Sequence, residues 1–401
     1  MADSTSIGWL LVSYFWAWIE LRRRRELGGL PGGDGGLAGV SAGGEIRSTA
    51  TREHPMSRMM EDPRIDPRFK AAFGQMRAFP LPNFDSRDEL VAAMNRPEVL
   101  QGLREAQLFT AREAEAVAPS KGLTITTETF VSEPDGNTIK VSLMRPQLGD
   151  QSDGPLPCVY YIHGGGMAVT SAFDVGYQAW GRMIANQRVA VAMVDFRNCV
   201  VPSSAPEIAP YPAGLNDCVS GLRWLISQAD EFGIDAGRIL VAGSSGGGNL
   251  ALALGLRLTR EGDAGLVKGL YAMCPDIAGS RPRDDLPSSI ENNDVWLDSH
   301  SNFSRLGYGM DAFEAQDPEA WPLFATEEHV QGFPETVISV NECDPLRDEG
   351  IEFYRLLLRA GQRARCRQVM GTIHGGDNMV LPCTDLALAT TRDMAALARG
   401  D

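Results

Sequence analysis

Short apolar runs recur along the chain with amphipathic stretches between them, and this spacing predicts alternating strands and helices. Cys158–Ile162, Val189–Val194, Ile239–Ala242, Leu270–Cys274 and Thr336–Val340 read as short strands buried on both faces, with Arg363–Val369 as the last of the series. Leu215, Val219, Leu222, Leu225 and Ile226 fall on one face of a helix that Gly233 is expected to end, and a second helix is expected over Leu250–Arg260. Ile125–Val131 and Thr138–Met144 flank Pro134-Asp135-Gly136-Asn137, a turn sequence, and therefore form a hairpin. Repeated alternation of this kind implies an α/β fold, with a mostly parallel central sheet covered by helices on both faces.

Two regions fall outside the alternation. Ser86-Arg87-Asp88-Glu89 matches a capping box, and Leu90, Val91, Met94, Val99, Leu100, Leu103, Leu108 and Phe109 give helical segments interrupted near Pro97. The stretch 276–333, between two strands, is long and carries Trp296, Phe303, Tyr308, Trp321 and Phe324 among polar residues. Each reads either as part of a lid over the sheet or as ordinary surface packing.

Ahead of these lies an apolar, aromatic run, Ile7 to Ile19, followed by Arg22-Arg23-Arg24-Arg25 and by a Gly-rich linker over Gly28–Gly44. The run is shorter than the roughly 20 residues that span a bilayer, and it has neither a basic lead nor a cleavage site. A dispensable extension from an upstream start is favoured over contact with a membrane. The expected organisation is an extension over 1–55, a helical segment over 56–120 and a catalytic domain over 121–401, with 276–333 adding to the cover.

The chain has 401 residues and a formal charge of −15, which argues against non-specific nucleic-acid binding and otherwise bears on solubility. Seven cysteines (158, 199, 218, 274, 343, 366 and 383) show no C-x-x-C spacing. They read as mostly reduced thiols in a reducing, cytoplasmic compartment, with no zinc site.

Chemistry concentrates at Gly243-Ser244-Ser245-Gly246-Gly247, a Gly-x-Ser-x-Gly sequence between a predicted strand and a predicted helix. A strand that reverses into a helix within so few residues strains its central residue and lifts the Ser245 hydroxyl clear of the sheet. A serine needs a base, a group that orients the base, and donors for an oxyanion. His163-Gly164-Gly165-Gly166 ends the third strand, and consecutive glycines let main-chain N–H groups converge on an oxygen. The Lys and Ser/Thr of a phosphate-binding loop are absent, which excludes that reading.

Of the five histidines, His54 lies in the extension, His163 in the glycine turn, and His300 and His329 in 276–333. His374 alone follows the last strand, where the order Ser, acid, His requires the base. The acid is sought in Asn341-Glu342-Cys343-Asp344-Pro345-Leu346-Arg347-Asp348-Glu349. Asp344 sits where strand gives way to turn, Pro345 is expected to start a helix, Asp348 and Glu349 are expected to be partly solvated within it, and Glu342 is the rival.

The His-Gly-Gly-Gly turn, the Gly-x-Ser-x-Gly-Gly-x-Asn-Leu elbow and Asp-Pro-Leu-Arg-Asp-Glu, in this order over about 124–380, resemble the hormone-sensitive-lipase family of bacterial carboxylesterases. The resemblance implies an α/β-hydrolase fold with a helical cap formed partly by the N-terminal helices. It makes Ser245 the nucleophile, His374 the base and Asp344 the acid, with oxyanion donors at Gly165, Gly166 and Gly246. It implies hydrolysis of short-chain carboxylic esters, small-molecule ester substrates, no metal or organic cofactor, and a homodimer with the last strand as an edge for pairing. The alternatives are another acyl hydrolase (lactonase, thioesterase or amidase), or a ligand-binding member of the fold that has lost catalysis. The chain departs from the family pattern at Ser244, Gly246 and Met167 and after His374-Gly375; at Gly246 the expected consequence is a looser oxyanion hole.

Overall fold

The computed structural model describes residues 58–74, 82–108, 111–147 and 154–401; the apolar run and the Gly-rich linker lie outside them. At its centre is an eight-stranded sheet built from β1 (Leu123–Val131), β2 (Thr138–Pro146), β3 (Leu156–Ile162), β4 (Ala190–Val194), β5 (Ile234–Ser244), β6 (Gly269–Met273), β7 (Thr336–Cys343) and β8 (Ala364–Ile373), in the order β1-β2-β4-β3-β5-β6-β7-β8. The β1–β2 and β2–β4 pairs are antiparallel, and every pair from β4 to β8 is parallel.

Strand periodicity divides the core in two. Cys158, Tyr160 and Ile162 of β3, with Ala190, Ala192, Val194, Ile239 and Val241, face the helices Ala213–Ser227, Gly246–Glu261 and Arg347–Arg359. The intervening Val159, Tyr161, Val191, Met193, Leu240 and Ala242 face the helices Val175–Ala185 and Thr384–Arg399. Strands buried on both faces have no polar face to show, so β3, β4 and β6 are apolar almost throughout. The outer strands β1 and β8 largely alternate half-buried and exposed positions because only one of their faces is covered.

Helix ends differ from expectation in three places. The helix from Ala213 stops at Ser227, and Gly233, at φ 63°, belongs to the turn into β5. The helix after the elbow starts at Gly246, four residues ahead of Leu250, so the glycines form its first turn. Their lack of side chains is a packing requirement: a Cβ on Gly247 would lie 2.1 Å from the Ile162 carbonyl oxygen and 2.4 Å from that of His163. The third helix starts at Arg347, with Pro345 ahead of it.

Of the N-terminal helices, Pro67–Phe73 packs at the carboxyl end of β8, and Ala111–Val117 packs on the helix Val175–Ala185. Phe69 of the helix Pro67–Phe73 is fully buried with Met59, Ile65, Val295 and Ile373, and it closes on Gly376, where a Cβ would stand 2.9 Å from its ring. Ser86 Oγ accepts the Glu89 N–H at 3.1 Å, and the Glu89 carboxylate accepts from Asp85 N–H at 3.0 Å, one residue ahead of the expected box. The helix so started, Arg87–Met94, packs on Phe303–Tyr308 of the 276–333 stretch. No helix among the described residues is long and apolar enough to cross a membrane.

Gly247→Ala should lower stability by roughly 1–3 kcal/mol or more, because backbone surrounds the missing Cβ. Gly176→Ala, where nothing lies within 4 Å of the added carbon, should be neutral or slightly stabilising. Urea unfolding midpoints of the two variants check this, and equal midpoints would contradict it.

Candidate active site

Ser245 follows β5 directly at φ 55° and ψ −119°, a conformation that L-residues rarely adopt. Its N–H donates to the Met273 carbonyl of β6 at 2.9 Å, and its own carbonyl accepts from Asn249 at 3.0 Å and from Asp276 at 3.2 Å. The backbone is thus held on both sides while the hydroxyl projects away from the sheet. Ser245 Oγ lies 3.0 Å from His374 Nε2, and His374 Nδ1 lies 2.8 Å from Asp344 Oδ2. A carboxylate accepts only, so Nδ1 carries the proton and Nε2 is free to accept from the serine hydroxyl.

Asp344 is fully buried, and its other oxygen accepts the Leu346 N–H at 2.9 Å. Glu342 is directed elsewhere: it accepts from Gly371 N–H at 2.7 Å, at the base of the loop that carries His374. That loop is held by Asn341, which accepts from Gly375 N–H at 3.0 Å and donates to Thr372 Oγ1 at 2.9 Å and Asp377 at 3.0 Å. Burial pulls the His374 imidazole toward its neutral form. The charge and hydrogen bond of Asp344, with a further contribution from Asp276, prevail and hold its pKa above the ordinary histidine value. Cys274 brings its sulfur to within 4.8 Å of donor atoms of Asp344 and His374; burial pushes its thiol well above the usual range, so it borders the pair as a neutral group.

The glycine turn after β3 has Gly165 at φ 97°, Gly166 at 62° and Met167 at 57°. Among the described residues, the N–H groups of Gly165, Gly166 and Gly246 donate to no acceptor, so three backbone donors stay available beside the serine. The turn is fastened around them. Gly164 N–H donates to Tyr177 at 2.9 Å and its carbonyl accepts from Thr170 at 2.9 Å; Met167 and Ala168 carbonyls accept from Cys199 and Val201 N–H, both at 2.8 Å. Arg87 and Asn95, at either end of the helix Arg87–Met94, donate in turn to the carbonyls of Cys199 at 2.6 Å and Val200 at 2.8 Å.

Gly246 does not loosen this arrangement. A Cβ there would fall 2.5 Å from Met167 N and 2.8 Å from Gly166 N and Cα, so the turn occupies the space that a side chain would take. The structure therefore replaces the expected loose hole with direct backbone contact between the turn and the helix start.

The other histidines are placed apart from this chain of bonds. His163 is fully buried, stacked on Phe196 with centroids 4.3 Å apart, and held below the ordinary histidine value by burial against the pull of Asp195. His300 bonds to the Ser289 carbonyl, His329 bonds to Thr326, and His54 lies outside the described residues. Glu349 corrects an expectation: it is fully buried rather than partly solvated, and pairs with Arg281. Arg281 and Asp276, like Tyr177 and Thr170, carry no sequence signature. The one available clue was a carboxylate just past the end of a central parallel strand, where ligand-binding residues of such sheets gather.

A strained serine on a sharp strand-to-helix turn, over a mostly parallel sheet and bonded to a histidine and a buried aspartate, defines an α/β-hydrolase, and a family profile described as the alpha/beta hydrolase fold matches residues 159–377. The chain belongs to this family, within its hormone-sensitive-lipase-like branch of bacterial carboxylesterases. It is 33% identical over 247 residues to carboxylesterase NlhH of Mycobacterium tuberculosis, covering 61% of this chain and 74% of that protein. Esterase Est22 superposes with a TM-score of 0.83 at 54% identity, covering 86% of this chain and all of Est22. Brefeldin A esterase, a bacterial homologue of human hormone-sensitive lipase, superposes at 0.70 with 32% identity, over 86% of this chain and 99% of its own.

Gly246→Ala should push the glycine turn away from the helix start and, if the free N–H groups serve as oxyanion donors, lower kcat by roughly 10- to 100-fold with KM changed little, since such donors act in the transition state. Steady-state kinetics check this, and unchanged kcat would show that the contact does not set the position of the turn.

Proposed function

We propose that the protein is a serine carboxylesterase acting on short-chain carboxylic esters, with Ser245 as nucleophile, His374 as base and Asp344 as the acid that orients it. The observation that carries this reading is the unbroken chain of hydrogen bonds from Ser245 Oγ through His374 to Asp344, at 3.0 and 2.8 Å. Ser245 attacks the ester carbonyl as His374 takes its proton, and Asp344 stabilises the resulting imidazolium. The negative charge on the carbonyl oxygen is met by the N–H groups of Gly165, Gly166 and Gly246, which need no reorganisation. His374 then protonates the leaving alcohol, and a water activated by the same histidine cleaves the acyl-enzyme.

The helices of 56–120 and the stretch 276–333 form the cap in this reading, a role supported by their mutual packing and by the closure of Phe69 on the His374 loop. All seven cysteines are free thiols, six of them buried, which supports the assignment to a reducing, cytoplasmic setting.

Est22 has been solved with p-nitrophenol, and p-nitrophenyl acetate and butyrate are accordingly the substrates of choice. A pre-steady-state burst of p-nitrophenol should precede turnover in the wild type and vanish in Ser245→Ala. A mutant as active as the wild type, or a larger kcat/KM on acyl-matched amides than on esters, would overturn the reading.

The pH dependence follows from the raised His374 pKa. The base works only when neutral, so activity should be lost as pH falls through a midpoint above the ordinary histidine value near 6.5. Asp344→Asn removes the main cause of the elevation: its acid limb should lie at lower pH than that of the wild type, and its kcat should fall by about 10⁴-fold, as when the orienting acid of such a triad is neutralised. An unshifted limb would count against Asp344 as the partner of His374.

A further inference from the structure

Behind the bonded chain from Ser245 to Asp344 lies a second group of buried charges that the mechanism above does not use. Asp276 follows the end of β6, Arg281 comes five residues later, and Glu349 enters from the helix Arg347–Arg359. Their side chains are 8%, 3% and 0% exposed. Arg281 Nη2 donates to Asp276 at 2.5 Å and to Glu349 at 2.8 Å, and its Nε also donates to Glu349. Glu349 accepts in addition from the N–H groups of Ile277 and Ala278, both at 2.8 Å.

Burial pushes the Glu349 carboxyl above the ordinary range, but every group that touches its oxygens is a donor, which fixes it as the carboxylate. Two carboxylates therefore share one guanidinium, and the group carries a net negative charge. Packing alone does not call for this: apolar residues of similar volume fill such a space at least as well as a buried ion pair. Asp276 is also tied to the nucleophile through its backbone. Asp276 donates its N–H to the Ser245 carbonyl at 3.2 Å, and its own carbonyl accepts from Asn249 Nδ2 at 2.8 Å, within the first turn of the helix that Ser245 begins.

We propose that Asp276 is a positioning residue for ester hydrolysis: its backbone ties down the carbonyl of the nucleophile, and its carboxylate, oriented by Arg281 and Glu349, adds a second buried negative charge to the field at His374. The proposal rests on the reading of Ser245, His374 and Asp344 as the triad. The charged groups that act on His374 are Asp344 after β7 and Asp276 and Arg281 after β6; Cys274 borders it as a neutral thiol, and Glu349 bonds Arg281. Asp377, on the His374 loop itself, is engaged by Ser339 and Asn341. Asp276 favours the imidazolium and Arg281 opposes it, with Asp276 the stronger of the two. When His374 takes the serine proton, that surplus stabilises the ion pair, and Asp344 alone does not account for the whole of the elevated basicity.

The test is the pH profile of kcat/KM for p-nitrophenyl butyrate with wild type, Asp276→Asn and Asp276→Glu. Asparagine keeps the shape and an oxygen for Arg281 but removes the charge. Its acid limb should move to lower pH, so that one pH unit below the wild-type midpoint it keeps roughly two- to threefold more of its plateau activity. The plateau kcat should fall by about three- to tenfold with KM little changed. Asp276→Glu should return the limb toward the wild-type position. A limb that stays in place in a folded Asp276→Asn protein overturns the proposal. Should that variant not fold, Glu349→Gln alters the net charge by the same amount and should shift the limb in the same direction; no shift there is equally decisive. Failure of the triad reading is distinguishable, because Ser245→Ala would then retain turnover whatever the profile of the Asp276 variants.

Discussion

Holding Ser245 at φ 55° and ψ −119° costs on the order of 1–3 kcal/mol, and the rest of the site depends on that conformation being kept. Three neighbours over-determine it: β6 takes the Ser245 N–H, the first helical turn and Asp276 take its carbonyl, and the glycine turn after β3 presses against Gly246. None of these contacts tolerates a bulky residue, which is why Gly246, Gly247 and Gly248 occupy a helical turn where glycine is otherwise unfavourable. The strain is balanced by burial of β5 in the middle of the sheet, with both of its faces covered.

From this fixed point the electrostatics divide by sign. In the proposed mechanism the backbone donors of Gly165, Gly166 and Gly246 meet the oxyanion, and the buried carboxylates of Asp344 and Asp276 favour the imidazolium of His374. Both sets are in place before substrate binds, so little reorganisation accompanies charge separation. The helix Arg87–Met94 reaches the glycine turn indirectly: Arg87 and Asn95 hold the carbonyls of Cys199 and Val200, and that segment holds Met167 and Ala168.

Strand positions, and the serine and histidine that the structure bonds together with Asp344, were legible in the sequence because each rests on a local pattern: an apolar run, a glycine-flanked serine, a histidine past the last strand. What escaped was set by tertiary contact. The start of one helix at Gly246 and the early end of another at Ser227 depend on what packs against each terminus, and periodicity does not record that. Glu349 looked solvated because acidic residues in the first turn of a helix usually are, and only the fold brings Arg281 to it. Gly246 looked like a source of looseness until the glycine turn was found in the vacated space.

The central claim is that one strained serine, one histidine and three backbone donors converge on a single reacting carbonyl. A crystal structure of the enzyme inactivated by a diethylphosphoryl ester tests this most directly, since the tetrahedral phosphorus stands in for the acyl transition state. The account requires phosphorus bonded to Ser245 Oγ and a phosphoryl oxygen within about 2.7–3.1 Å of the N–H groups of Gly165, Gly166 and Gly246. Phosphorus on another residue, or a phosphoryl oxygen turned away from those three donors, would contradict it.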